Sequence, residues 1–220
     1  MVKKRYKHVV AVMGEGRWGD QLLEFAYNNP DTLVIGVDSP HIIEESKRNL
    51  LDRLYIMTKL REMKNKEALR ILKNPRAMIQ QLEFMRQKLG WKGAPEGKVS
   101  IPSNIKLVGG NLENLRTLGR ESVNWAELSF GGPFSRKVAR NLGAWIRPGG
   151  TALFRGLDVK NREELAKELE RRGFKVMLGT RDIRKVKTPI SLWEDYAKEK
   201  RINYTMMLAR KPKSRRRGKR

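Results

Sequence analysis

The chain has 220 residues, 39% hydrophobic and 33% charged, and its 48 Lys and Arg against 24 Asp and Glu leave a formal net charge of +24. That length supports one large domain or a domain with an insertion, and that charge calls for a polyanionic partner. The lack of cysteine excludes disulfides and thiolate metal sites, His8 and His41 are too few for a histidine metal centre, and no apolar run reaches the roughly 20 residues that span a bilayer, so a soluble, cytoplasmic, non-membrane protein is expected.

The start MVKKRYKH shows no signal-peptide core and leads directly into HVVAVM, an apolar run that reads as a first strand. The loop GEGRWG follows, with Gly14, Gly16 and Gly19 spaced as G-x-G-x-x-G, and a helix is predicted from Gly19 to Asn28 that buries Leu22, Leu23 and Phe25 or Ala26. The second apolar run, TLVIGVD, ends on Asp38. Glycines so placed allow a tight turn and a close backbone approach to a ligand, and an acid ending the second strand is positioned to accept hydrogen bonds from a ribose. The pattern suits NAD, FAD or S-adenosylmethionine, and it is also open to a plain glycine turn.

From Pro40 to Trp91 nearly everything has helical spacing, more than one crossover needs, so a Lys- and Arg-rich helical insertion follows the second strand. Leu50, Leu54 and Met57 mark one apolar stripe, and Asn74-Pro75 starts a helix along Met78, Leu82 and Met85. Further strands are predicted at NIKLVGG, VNWAELSF, TALFRGL, FKVMLGT and NYTMMLAR, with the Pro148-Gly149-Gly150 turn ahead of TALFRGL and a helix opening at Asn161 and ending before Gly173. Strands alternating with helices predict an α/β fold, a doubly wound, Rossmann-like, seven-stranded sheet with helices on both faces. Residues 1–210 read as one domain, with the insertion at 40–91, and KPKSRRRGKR at 211–220 lacks any apolar residue and reads as a disordered basic tail.

The glycine loop, the Pro-Gly-Gly turn and the late pair of strands, the final one able to insert antiparallel, together resemble a class I S-adenosylmethionine-dependent methyltransferase over residues 8–212 apart from the insertion. The resemblance implies that Gly14, Glu15, Gly16 and Gly19 wrap the methionine part of S-adenosylmethionine, that Asp38 holds its ribose, and that Asn111, with Leu112 beside it, meets the adenine. The loop SFGGPFSRK after the fourth strand resembles the Phe-Pro-Asp-Pro-Trp loop of tRNA guanine-N7 methyltransferases at Phe130, Pro133 and Phe134, but Gly132 stands where that family has its carboxylate. SLWE gives Ser191, Trp193 and Glu194 in the order of the same family's Thr-x-aromatic-Glu, and it reads equally as a helix capping box. The resemblance therefore implies Phe134, Ser191 and Glu194 as catalytic candidates.

Clustered cations bind RNA by neutralising phosphates. Arg17 and Trp18 in the glycine loop, Arg136, Lys137 and Arg140 after the substrate loop, and Arg215, Arg216 and Arg217 in the tail are the candidate RNA contacts. The expected function is an S-adenosylmethionine-dependent RNA methyltransferase acting on a base of tRNA or rRNA, with the ribosome among its candidate partners. The alternative is a catalytically degenerate protein of this fold that binds RNA or the ribosome, suggested by Gly131-Gly132 in the substrate loop. A nicotinamide-dependent oxidoreductase fits the Pro-Gly-Gly turn and the closing strand pair poorly.

Overall fold

The structure is a computed structural model that describes residues 6–13, 19–72, 75–113, 118–129, 135–155, 159–179 and 206–213. Helices separate the first five strands in chain order, except that among the described residues the third runs on to the fourth without one. They are β1 (His8–Met13), α1 (Gly19–Asn28), β2 (Thr32–Asp38), then α2 (Pro40–Met63), α3 (Lys66–Leu72) and α4 (Pro75–Lys88), followed by β3 (Ile105–Gly109), β4 (Val123–Ser129), α5 (Arg136–Trp145) and β5 (Ile146–Arg155). The chain continues through α6 (Val159–Arg171), β6 (Lys175–Leu178) and β7 (Met206–Arg210).

The seven strands form one sheet in the order β3-β2-β1-β4-β5-β7-β6. Strands β1 to β5 pair in parallel, whereas β7 runs antiparallel to both β5 and β6. The predicted α/β class, the antiparallel last strand and the insertion after the second strand all hold. Because β1 to β5 point the same way, Met13, Asp38, Gly109, Ser129 and Arg155 end on one edge, called here the carboxyl edge. The winding direction reverses between β1 and β4, which opens a crevice at that edge where ligands bind in open α/β sheets.

Strand alternation sends successive residues into the two core layers in turn. On β1, Ala11 and Met13 face a cluster with Val138 and Leu142 of α5 and Leu165 and Leu169 of α6. Val10 and Val12 face the other side, against Leu22, Leu23 and Ala26 of α1 and Leu50 and Leu54 of α2. Ala26, rather than Phe25, is thus the fully buried member of the pair predicted for the first helix. Helix α2 outruns the sheet, and Ile56 and Leu60 join Ala68 of α3 and Leu82 of α4 in a cluster of their own. The insertion is tied by a buried carboxylate: Asp52 pairs with Arg86 of α4 and accepts the Ala94 N–H at 2.8 Å. Tyr55 stacks on Trp91 with ring centroids 6.3 Å apart.

Two boundaries differ from expectation. Helix α6 begins at Val159, so Asn161 lies inside its first turn and is not its cap. Strand β5 begins at Ile146, ahead of Pro148-Gly149-Gly150, because α5 stops at Trp145 and the chain pairs at once with β4. The register jumps from Val123↔Ile146 to Trp125↔Thr151, so residues 147–150 bow out of an otherwise continuous pairing. Gly149 takes φ +83° in this bow, and a Cβ on Gly150 would stand 2.9 Å from the Arg147 carbonyl and 3.0 Å from that of Asn124. Backbone oxygens cannot step aside as a flexible side chain would. Gly150→Ala should therefore cost about 1–3 kcal/mol in urea unfolding, the range of other overpacked sites. Gly119→Ala, whose Cβ would meet, among the described residues, only Ser122 atoms at 3.7 Å, should leave the midpoint nearly unchanged.

Candidate functional site

The carboxyl edge is organised around Asp38. Its half-buried carboxylate accepts the Ser39 N–H at 2.6 Å, and its carbonyl accepts the Gly110 N–H at 2.9 Å, which ties the ends of β2 and β3 together. Helix α2 starts two residues later with Pro40 at its first position, where the fixed φ and missing N–H of proline suit a helix start. Pro40 lies so close to β3 that a Cβ on Gly109 would be 3.1 Å from its Cα. Glycine at the end of β3 is what lets α2 begin beside Asp38.

Beyond Gly109 the chain turns sharply. Asn111 is exposed, and its Oδ1 accepts the Glu113 N–H at 2.9 Å, an Asx turn. Leu112 is half-buried against the main core. Asn141 of α5 donates its amide hydrogens to the carbonyls of Leu112 at 2.8 Å and Glu113 at 3.0 Å, so α5 pins this loop in place. Asn141 is absent from the candidates drawn from the sequence. An Asn in the middle of an apolar-striped helix, where its side chain competes with the backbone, was the available signal.

Gly19 opens α1, and Gly14, Glu15, Gly16, Arg17 and Trp18 lie outside the described residues. They connect Met13 to Gly19, hence the end of β1 to the start of α1, next to the end of β2. Phe134, Ser191, Glu194, Arg215, Arg216 and Arg217 also lie outside the described residues. Ser135 caps α5, accepting the Val138 N–H at 3.4 Å, and Arg136, Lys137 and Arg140 are exposed on the first turns of that helix. Gly19, Asp38, Asn111, Leu112 and the three α5 cations therefore share the carboxyl edge.

At that edge, between the end of β5 and the residue of β4 one pleat below, is a pair that the sequence does not announce. Glu127 of β4 and Arg155 of β5 form an ion pair at 2.9 Å with side chains only 1% and 5% exposed. Farther along the outer helices, a groove of about 290 Å³ between α5 and α6 is lined by Arg136, Glu164, Lys167, Glu168 and Arg171. Arg172 donates to Glu168 at 2.7 Å, and this hydrogen bond, with the positive field of Arg171 and Arg136, holds the Glu168 pKa below its ordinary value of 4.5. Arg171 and Arg172, which pair with Glu168, thus serve a protein carboxylate.

His8 and His41 stand apart, beside Asn124 and Ser39 respectively. Among the described residues no group of three or more His, Cys, Asp or Glu could hold a metal ion, and no helix is long and apolar enough to cross a membrane.

No protein-family model matches the chain, and no curated protein does. Solved structures do. The aminoglycoside resistance methyltransferase NpmB1 superposes with a TM-score of 0.50 at 15% identity, over 93% of this chain and 88% of that one. A chain of the complex between the Haloferax volcanii Trm112 methyltransferase activator and a methyltransferase gives 0.50 at 9% identity, over 94% of this chain and 84% of that one. At such identities the likeness is one of architecture, and with the strand order and the antiparallel β7 it establishes that the chain has the fold of the class I methyltransferases.

Proposed function

We propose that this protein is an S-adenosylmethionine-dependent methyltransferase acting on a base of tRNA or rRNA. The observation that carries the cofactor assignment is Asp38: a half-buried carboxylate, fixed by a backbone N–H, at the carboxyl edge beside the strand that leads into a G-x-G-x-x-G loop. Such an acceptor fits two ribose hydroxyls. Asn111 fits the adenine, because its Oδ1 is engaged in its own turn and its amide nitrogen is left to donate to a ring nitrogen. The glycine loop, including Gly14, Glu15, Gly16 and Gly19, would hold the methionine part. When bound, S-adenosylmethionine supplies an activated methyl group on sulfur. The chain's own task is then to position the nucleophile, to which Phe134 would contribute by stacking on a base.

The RNA assignment rests on charge. A net +24 exceeds any solubility requirement, and the exposed Arg136, Lys137 and Arg140 follow directly on the substrate loop. Within the RNA methyltransferases, the partial echo of the guanine-N7 loop at Phe130, Pro133 and Phe134, with Ser191 and Glu194, favours a guanine target. Gly132 in place of the carboxylate supports the second reading, a binding protein of this fold without turnover.

Calorimetry with S-adenosylmethionine, followed by methyl transfer from labelled cofactor to total RNA, separates the readings. Binding with transfer is the expected result. Binding without transfer to any RNA would favour the degenerate binding protein, and no heat at millimolar cofactor would remove the enzyme reading.

A further inference from the structure

The groove between α5 and α6 exists because small residues of α5 face α6. At one end the two elements are close, for a Cβ on Gly143 would lie 3.3 Å from Cδ of Arg172. One turn earlier on α5 stands Ala139, buried in the core beside Leu165 of α6. A methyl group is too short to fill the space there, and about 290 Å³ remains open. Helical spacing puts Glu164, Lys167, Glu168 and Arg171 on one stripe of α6, which forms one wall. Arg136 forms the other wall. It opens α5 directly after the substrate loop, so this end of the groove lies at the carboxyl edge.

The charges of the groove divide into two groups. Glu168 is met by Arg172 at 2.7 Å and by Arg171 at 3.5 Å, so it is satisfied within the fold. Arg136, Glu164 and Lys167 are exposed, and among the described residues none of the three has an ion pair or a side-chain hydrogen bond. Two cations and one carboxylate therefore border a floor of Ala139 and Leu165.

That combination is not the one a plain phosphate patch would use. An acid beside two cations weakens their attraction for an anion. It becomes useful when the ligand also brings a hydrogen-bond donor. A ribonucleotide unit brings both, an anionic phosphate and a 2′-hydroxyl that can donate. The volume agrees, since it stands at the lower end of the roughly 300–1,000 Å³ that small-ligand sites occupy and so suits one such unit.

We propose that this groove holds the ribose-phosphate of a nucleotide flanking the one that reacts, with its phosphate between Arg136 and Lys167 and its 2′-hydroxyl donating to Glu164. The proposal rests on the RNA reading above and deepens it. The substrate presents a single-stranded stretch at the carboxyl edge, and one carboxylate tells RNA from DNA there. A deoxy strand keeps the phosphate and lacks the donor. The base is not read, because the floor offers it no hydrogen-bonding group.

The test titrates pentauridylate and its 2′-deoxy counterpart, without cofactor, into the full chain and into Glu164→Ala and Lys167→Gln. Both positions are exposed on α6, so the variants should fold. The wild type should bind the ribose form more tightly. Glu164→Ala should weaken that form by about tenfold, the worth of a hydrogen bond to a charged group, and should leave the deoxy form unchanged or bound more tightly. Lys167→Gln should weaken both by similar factors and flatten the slope of log affinity against log salt by about 0.7, one phosphate of a single strand. Uridine 5′-monophosphate should bind more weakly than pentauridylate and shift the methyl resonances of Ala139 and Leu165. Tighter binding of both strands by Glu164→Ala would reduce the groove to a repelled phosphate patch and overturn the proposal. So would equal binding of the two strands by the wild type, methyl shifts that miss Ala139 and Leu165, or a mononucleotide that binds as well as the strand, which would make the occupant a free nucleotide. The titrations contain no S-adenosylmethionine, so a protein without turnover can still pass them, and one that methylates RNA can still fail them.

Discussion

Replacing Asp38 with Ala should lower the affinity for S-adenosylmethionine at least about tenfold while the domain stays folded. The carboxylate sits at the mouth of the sheet, half-buried, with one oxygen held by the Ser39 N–H. A charge-assisted hydrogen bond in such a place is worth on the order of 1.5–3 kcal/mol, which corresponds to a loss of about 10- to 150-fold. The same change removes a negative charge near the start of α2, whose first turn carries no acid, so a small stability loss of about 0.5 kcal/mol is also expected. Asp38→Asn separates the two effects. It keeps an acceptor for Ser39 and should hold the fold, yet it should bind the cofactor less well than the wild type. Calorimetric titration of the three proteins at matched fractions folded is the measurement. Equal affinities would mean that Asp38 does not meet the ribose, whatever else binds at this edge.

The second large effect is expected at the Glu127–Arg155 pair. With both side chains almost completely buried, replacing Arg155 takes from Glu127 the opposite charge that faces it at 2.9 Å in a medium of low polarity. Arg155→Met should therefore destabilise the protein by about 3–5 kcal/mol in urea unfolding. Desolvating two ions costs nearly as much as their attraction returns, so the double variant Glu127→Met, Arg155→Met should regain most of that loss. A single variant that costs less than about 1 kcal/mol would show that water reaches the pair.

These two sites also mark how far the sequence can be read. Asp38 is legible because its meaning is local: an apolar run, a terminal acid and a glycine turn lie within one short stretch. The strands and the helical insertion are legible because continuous apolar runs and period-3.6 patterns report burial directly, and the antiparallel sense of the last strand comes with the resemblance of the late strand pair to class I methyltransferases. The Glu127–Arg155 pair is not, since a Glu inside VNWAELSF reads as a solvent-facing residue until the neighbouring strand supplies Arg155. Asp52, Arg86 and Ala94 pose the same difficulty, for their hydrogen bonds join residues more than thirty positions apart. The start of β5 is hidden for a different reason. Pro-Gly-Gly is ordinary turn chemistry, and only the pairing of Ile146 with Val123 shows that the strand has already begun. Lys211 reads by composition as the first residue of the basic tail, yet its bonds to the end of α5 make it part of the domain. Of the site itself, the backbone frame around Asp38 and Asn111 follows from the sequence, and the brace from Asn141 does not.

The position of β7 also sets an order of events during folding. Strand β6 hydrogen-bonds to β7 and, among the described residues, to no other strand, and β7 alone joins it to β5. The pairs Thr151↔Arg210 and Lys175↔Arg210 show one residue of β7 closing both ladders at once. A chain that has assembled β1 to β5 therefore holds β6 through the packing of Phe174 and Val176 and through the helix before it, with the β5 edge open to pairing. Such an edge invites a strand from a second molecule. The insertion of β7 has to win that competition across a large sequence separation, which makes it a slow step, and once made it moves the open edge of the sheet from β5 out to the four-residue β6.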